Sequence, residues 1–139
     1  MKTFFLIVIV TLTLNSSAFS QTPSDTTDGW LNGRGWETLN RLDKMQFLSG
    51  LYEGIRILAD DLDAALPNQR KLITEKMMAY VVRQKLGDLV VQIDDFYKDR
   101  SNVEIPVTKA VFWVVKKTKG TPTKELDDLV VGFRRLWNK

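Results

Sequence analysis

Leu86, Leu89, Val90, Ile93, Phe96 and Tyr97 fall at i, i+3, i+4, i+7, i+10 and i+11, a single apolar face with the period of an α-helix. The same spacing runs through Met45, Leu48, Leu51, Tyr52, Ile55, Leu58 and Leu62, and again through Leu126, Leu129, Val130, Phe133, Leu136 and Trp137. Three stripes of this kind can be buried together only by packing helix against helix, so the sequence predicts a compact all-α domain of about five helices.

The punctuation agrees with that period. Asn40 can cap a helix whose first turn holds Asp43 near its positive end. Pro67-Asn68 breaks the chain, a second helix is predicted over Arg70 to Ala79, and Tyr80-Val81-Val82 reads as an extended connection or its continuation. Asp99 to Asn102 is a loop by composition. Ile105 precedes proline and should be extended, while Pro106 suits the first turn of a helix carrying Val107, Ala110, Val111 and Val114. That helix should stop at Gly120, although its β-branched and aromatic run (VFWVV) leaves a buried strand as the competing reading. Thr121 and Pro122 then open a last helix. Gly50 and Gly54 lie four apart inside the first long helix, where each costs about 1 kcal/mol relative to alanine. Close approach of another helix backbone is the expected compensation, with substrate access the alternative.

The N-terminus reads differently. Met1-Lys2 is a short basic start, Thr3 to Leu14 is apolar, and Ala18-Phe19-Ser20 places small residues where signal peptidase would cut before Gln21. Twelve apolar residues are too few for a hydrocarbon core of roughly 30 Å, so the segment is expected to be a secretory signal and not an anchor. The expected organisation is a signal peptide over 1–20, a flexible leader and turn over 21–35, and the helical domain over 36–139. The protein is then secreted or periplasmic, with no transmembrane segment in the mature chain.

Among 139 residues there is no cysteine and no histidine. Disulfides and lipobox acylation are therefore closed to it, as are Ser-His-Asp and Cys-His nucleophile systems, imidazole bases and HExxH metal sites. Zinc is disfavoured. The acidic run Asp60-Asp61-Leu62-Asp63 fails the calcium-loop pattern, because Ala65, Leu66 and Leu72 occupy positions that need a ligand or glycine. Asn32-Gly33-Arg34-Gly35 reads as a turn, and its G-x-G lacks the third glycine of a nucleotide-binding loop. No metal or cofactor is expected. The remaining enzyme chemistry is carboxylate-based glycoside cleavage, for which Glu37, Glu53, Glu75 and Glu104 are eligible. Glu53 is favoured by its two neighbouring glycines and disfavoured by Arg56 at i+3, which would keep it ionised.

Charge is segregated along the chain. Residues 21–105 carry 11 basic and 14 acidic groups, whereas residues 106–139 carry 8 basic and 3 acidic. The C-terminal lysines and arginines, Lys116, Arg134 and Arg135 among them, form either a solvated face or a basic patch for an acidic partner surface. They are not interleaved with exposed aromatics, and a nucleic-acid role is not expected.

Phe47-Leu48-Ser49-Gly50-Leu51-Tyr52-Glu53-Gly54 resembles the F-x-x-G-[FY]-x-[DE]-G element of uncharacterised small exported bacterial helical proteins. Ile93 to Asp99, with Asn102 and Ile105-Pro106-Val107, resembles their D-x-F-Y-x-D-x-x-N-x-x-I-P element, and Lys116 to Gly120 with Arg134-Arg135 completes the pattern across most of residues 36–135. More distantly the chain is similar to Tai-type immunity proteins of type VI secretion, which are periplasmic, helical and typically disulfide-bonded. That resemblance implies export and an immunity- or inhibitor-like role through an unknown protein partner, and it carries over no catalytic residue.

Two clusters stand out as candidate contacts. In the first, Asp94, Phe96, Tyr97, Asn102 and Pro106 form either a structural corner, with Asn102 satisfying amides at the start of the next helix, or the rim of a binding site made by Tyr97 and Asn102. In the second, Trp30 and Trp36 flank a glycine turn. Either could anchor an interface, and Trp36 could equally cover the open end of the core. The sequence therefore points to a non-enzymatic exported protein acting by protein–protein contact, with a Glu53-dependent envelope glycosidase or sugar-binding protein as the alternative.

Overall fold

The computed structural model describes residues 24–69, 71–72 and 85–138. Among the described residues two short antiparallel strands, β1 (Thr26–Thr27) and β2 (Trp30–Leu31), precede five fully described α-helices. These are α1 (Gly33–Thr38), α2 (Arg41–Ala65), α3 (Leu86–Lys98), α4 (Val107–Thr118) and α5 (Thr123–Trp137), with single 3₁₀ turns at Pro67–Gln69 and Arg100–Asn102. The architecture is all-α, as the periodicity requires. The expected signal segment and most of the helix predicted over 70–79 lie outside the described residues, as does Tyr80-Val81-Val82.

Helix boundaries follow the local chemistry. The Asn40 side chain accepts the Asp43 amide at 3.0 Å and opens α2. Gly120, at φ +81°, ends α4, and the amides of Gly120 and Thr121 return to the carbonyls of Lys117 and Lys116 at 3.0 and 3.1 Å. This paired closure satisfies two orphan carbonyls. The VFWVV segment is helical. Pro122, expected inside the last helix, is its cap instead, and the helix starts one residue later.

The core lies where α3 and α4 pack together, with α2 against α3 and α5 against α4. Leu89, Ile93, Ile105, Val107, Val114 and Val115 are wholly buried there, joined by Trp36 from α1 and Leu48 from α2. Each large apolar side chain buried this way contributes about 1.5–3 kcal/mol relative to exposure.

Residues 24–35, expected as part of a leader and turn, fold instead. Asp28 (φ +52°) and Gly29 (φ +79°) form the two-residue turn of the β1–β2 hairpin, in register Thr26 with Leu31 and Thr27 with Trp30. Asp-Gly supports the positive φ pair that such a turn demands. Asn32-Gly33-Arg34-Gly35 is the capped start of α1 and not a turn.

Close backbone approach occurs at the glycines of this segment and not at Gly50 or Gly54. A Cβ on Gly33 would stand 2.5 Å from the Tyr97 ring and 3.0 Å from the Val103 Cα, and one on Gly35 would stand 2.5 Å from the Asp25 carbonyl oxygen. Among the described residues nothing comes within 4 Å of a Cβ built on Gly50 or Gly54. Gly33→Ala should therefore lower stability by about 1–3 kcal/mol. Gly54→Ala, in an open helix interior, should raise it by up to about 1 kcal/mol. Denaturant unfolding of the two variants checks both signs.

Candidate functional site

The hairpin is fixed by one buried side chain. Asn32 is completely inaccessible, and its Oδ1 accepts the Arg34 and Gly35 amides at 3.0 and 3.2 Å, capping α1. Its Nδ2 donates to the Ser24 carbonyl at 3.0 Å and to the Thr27 hydroxyl at 2.9 Å. A buried amide is tolerated only with its polar atoms partnered, and here they are partnered on three sides. Thr27 in turn donates to Glu104 at 3.2 Å, and Arg34 donates Nε and Nη2 to the same carboxylate at 2.9 and 2.5 Å. The Gly33 amide donates to the Val103 carbonyl at 2.8 Å. Hairpin, α1 and the loop before α4 thus form one unit.

On the outer side of that unit Trp30 is 58% exposed. It borders an open groove of about 530 Å³, lined chiefly by Leu31, Phe47, Gly50, Leu51 and Thr108. Gly50 supplies no side chain to this wall, so the helix glycine opens a groove and does not seat another backbone. The groove is mostly apolar and can accept an apolar or aromatic side chain. Gln46 and Thr108 are its polar lining side chains.

Trp36 has a different role. It is fully buried, its Nε1 donates to Asp94 Oδ1 at 2.7 Å, and Lys44 reaches the same oxygen at 2.9 Å while standing 5.2 Å from the Trp36 ring centre. Trp36 packs into the core.

Tyr97 and Asn102 likewise make hydrogen bonds within the fold. Tyr97 is buried, donates its hydroxyl to the Ile105 carbonyl at 2.8 Å, and has its phenol pKa raised by desolvation. Asn102 donates to the Phe96 carbonyl at 2.7 Å. It therefore satisfies the end of the preceding helix, where an amide contact at the start of the next was expected. Phe96 meets Tyr97 edge-on at 5.2 Å, and Pro106 is buried at the start of α4, bridged to Asn32. Arg134 turns inward, donating to Asn102 Oδ1 at 2.9 Å and pairing with Asp99. Of the proposed contact residues, Trp30 and Arg135 are exposed and Lys116 is half-buried, with its ammonium over the Phe112 ring.

Glu53 sits exposed on α2, paired with Arg56, whose guanidinium holds its carboxyl below the ordinary carboxylate range. A general acid in glycoside cleavage needs the opposite shift. Among the described residues no group of three carboxylates is placed to hold a metal ion.

The hairpin and its asparagine hub were missed by the sequence reading. The available signal was Thr-Thr-Asp-Gly-Trp-Leu, a two-residue turn sequence between strand-forming pairs. No family model, curated protein or solved structure matches the chain.

Asn32→Ala should cost about 2–4 kcal/mol through loss of the cap and of the buried partners, measured by denaturant unfolding. Asp99 is held below the usual aspartate range by the Ser101 hydroxyl first, then the Ser101 amide and Arg134. Because its folded-state value is depressed, its contribution is complete above the unfolded value of about 4 and is lost as pH falls through the folded value. The melting-temperature gap between wild type and Asp99→Ala should therefore be widest near neutrality and close in acid.

Proposed function

We propose that this is a small exported, non-enzymatic protein that acts by binding another protein in the cell envelope, through the Trp30 groove. The observation that carries the reading is a tryptophan left more than half exposed at the edge of a ≈530 Å³ apolar groove. A side chain of that size is ordinarily among the largest contributors to burial, and aromatic anchors beside a pocket concentrate interface energy. The hairpin that presents Trp30 is held by Asn32 and Glu104, so little order has to be created on association. Export is supported by the basic, apolar and small-residue order of the first twenty residues. An immunity- or inhibitor-like role fits a preformed apolar surface, and the pairing of Glu53 with Arg56 argues against the glycosidase alternative.

Capture from envelope extract tests this. Trp30→Ala removes the anchor, and Gly50→Leu fills the groove from a position with open space around it. Neither variant should lower the melting temperature, with Gly50→Leu raising it if anything, and both should lose the captured protein. Retention of the same protein by both would refute the groove as the binding surface.

A further inference from the structure

Asn32 is followed by Gly33, and that dipeptide carries a reactivity of its own. In an open chain the backbone nitrogen of residue 33, with no Cβ beside it, is the least hindered nucleophile that an asparagine side chain can meet. Hydroxide removes the Gly33 amide proton, and the nitrogen attacks Asn32 Cγ. The Cγ–Nδ2 bond breaks, and Nδ2 takes a proton from water and leaves as ammonia. Water then opens the succinimide at either ring carbonyl, leaving aspartate or a backbone-lengthened isoaspartate at position 32. The whole sequence draws only on water.

The fold opposes ring closure at every atom involved. Gly33 is buried, and its amide proton is held by the Val103 carbonyl at 2.8 Å. The Asn32 carbonyl accepts the Trp36 amide at 2.9 Å, so the peptide between residues 32 and 33 is pinned on both sides. The carboxamide is committed elsewhere, Oδ1 to the Arg34 and Gly35 amides and Nδ2 to Ser24 and Thr27. The product, in turn, does not fit this setting. A carboxylate at position 32 keeps an oxygen for α1 but loses the donor that faces the Ser24 carbonyl and the Thr27 hydroxyl. Glu104 Oε2 already stands 3.5 Å from Nδ2, so the new charge would face an existing one of the same sign. Isoaspartate adds a methylene to the backbone just before a glycine that has no room even for a Cβ against Tyr97.

We propose that Asn32-Gly33 is a conformation-gated deamidation site, modified while the chain is open and protected once the hairpin and α1 have closed around it. Because ammonia is lost, a chain that stays open too long is withdrawn from the pool that can form the hairpin. The same carboxamide therefore holds the hairpin in the folded chain and records time spent outside the fold. This inference does not depend on the Trp30 groove.

The test is incubation of the full chain at mildly alkaline pH, in native buffer and in guanidinium chloride, with amide-to-acid conversion at each asparagine followed by peptide mass spectrometry. In denaturant Asn32 should convert faster than Asn15, Asn40, Asn68, Asn102 and Asn138. In native buffer its conversion should be at least about tenfold slower than in denaturant, since it must wait for an opening of the fold. Equal rates at Asn32 in the two conditions, or an Asn32 no faster in denaturant than the other asparagines, would overturn the proposal. These rates are measured on wild type, so they decide the matter even where Asn32→Asp fails to fold. The misfit of the product is read from melting temperatures. Asn32→Asp should melt below wild type. Glu104→Gln should lower the wild-type value through the lost Arg34 pair, and lower that of Asn32→Asp by less, because the facing charge is gone. A loss from Glu104→Gln as large in Asn32→Asp as in wild type would contradict the exclusion of the product by charge.

Discussion

A single buried carboxamide organises one end of this fold. Asn32 spends both of its functional groups locally, the oxygen on two amides of α1 and the nitrogen on the hairpin. Unpartnered, the same buried group would cost on the order of 1–3 kcal/mol, so the contacts are interdependent. Glu104 extends the set to Arg34 and Thr27, and the Gly33 amide ties it to Val103. The backbone can come this close to the Tyr97 ring only because residue 33 has no Cβ.

The remaining surface chemistry follows from that arrangement. With the hairpin fixed, Leu31 packs against the core, while Trp30, its neighbour on the opposite face of a two-residue strand, must point out. Gly50 leaves room beside it. Six residues on, Trp36 faces inward from α1 and covers the core, with Asp94 and Lys44 satisfying its polar edge. Two tryptophans that look alike in the sequence therefore have opposite exposures, set by a strand on one side of Asn32 and a helix on the other.

Much of the fold was legible. The stripes ending in Leu62, Tyr97 and Trp137 are helices, Asn40 and Gly120 are the caps their residue types suggest, and Leu48, Ile93 and Phe133 are core residues. The candidate site was less so, for identifiable reasons. Tyr97, Asn102 and Arg134 carry interface-forming chemistry, but their hydrogen bonds close on the corner between α3, α4 and α5. Periodicity does not register such non-local pairing. Gly50 and Gly54 show that a helix glycine need not mark a close approach, since space beside the helix is decided by what the rest of the chain leaves uncovered. The hairpin was obscured by composition: Gln21 to Gly29 is polar enough to read as disordered, and the Asp-Gly turn within it is only two residues long.

The central claim is that residues 24–38 belong to the cooperative fold, with Asn32 as the link that positions Trp30. Native-state hydrogen exchange addresses it directly. The amides of Gly33, Gly35 and Trp36, which donate to Val103, Asn32 Oδ1 and the Asn32 carbonyl, should exchange with the same slow opening free energy as the α3 and α4 core. Exchange of these three amides by a separate, much lower-energy opening, with the α3 and α4 amides still protected, would contradict the account.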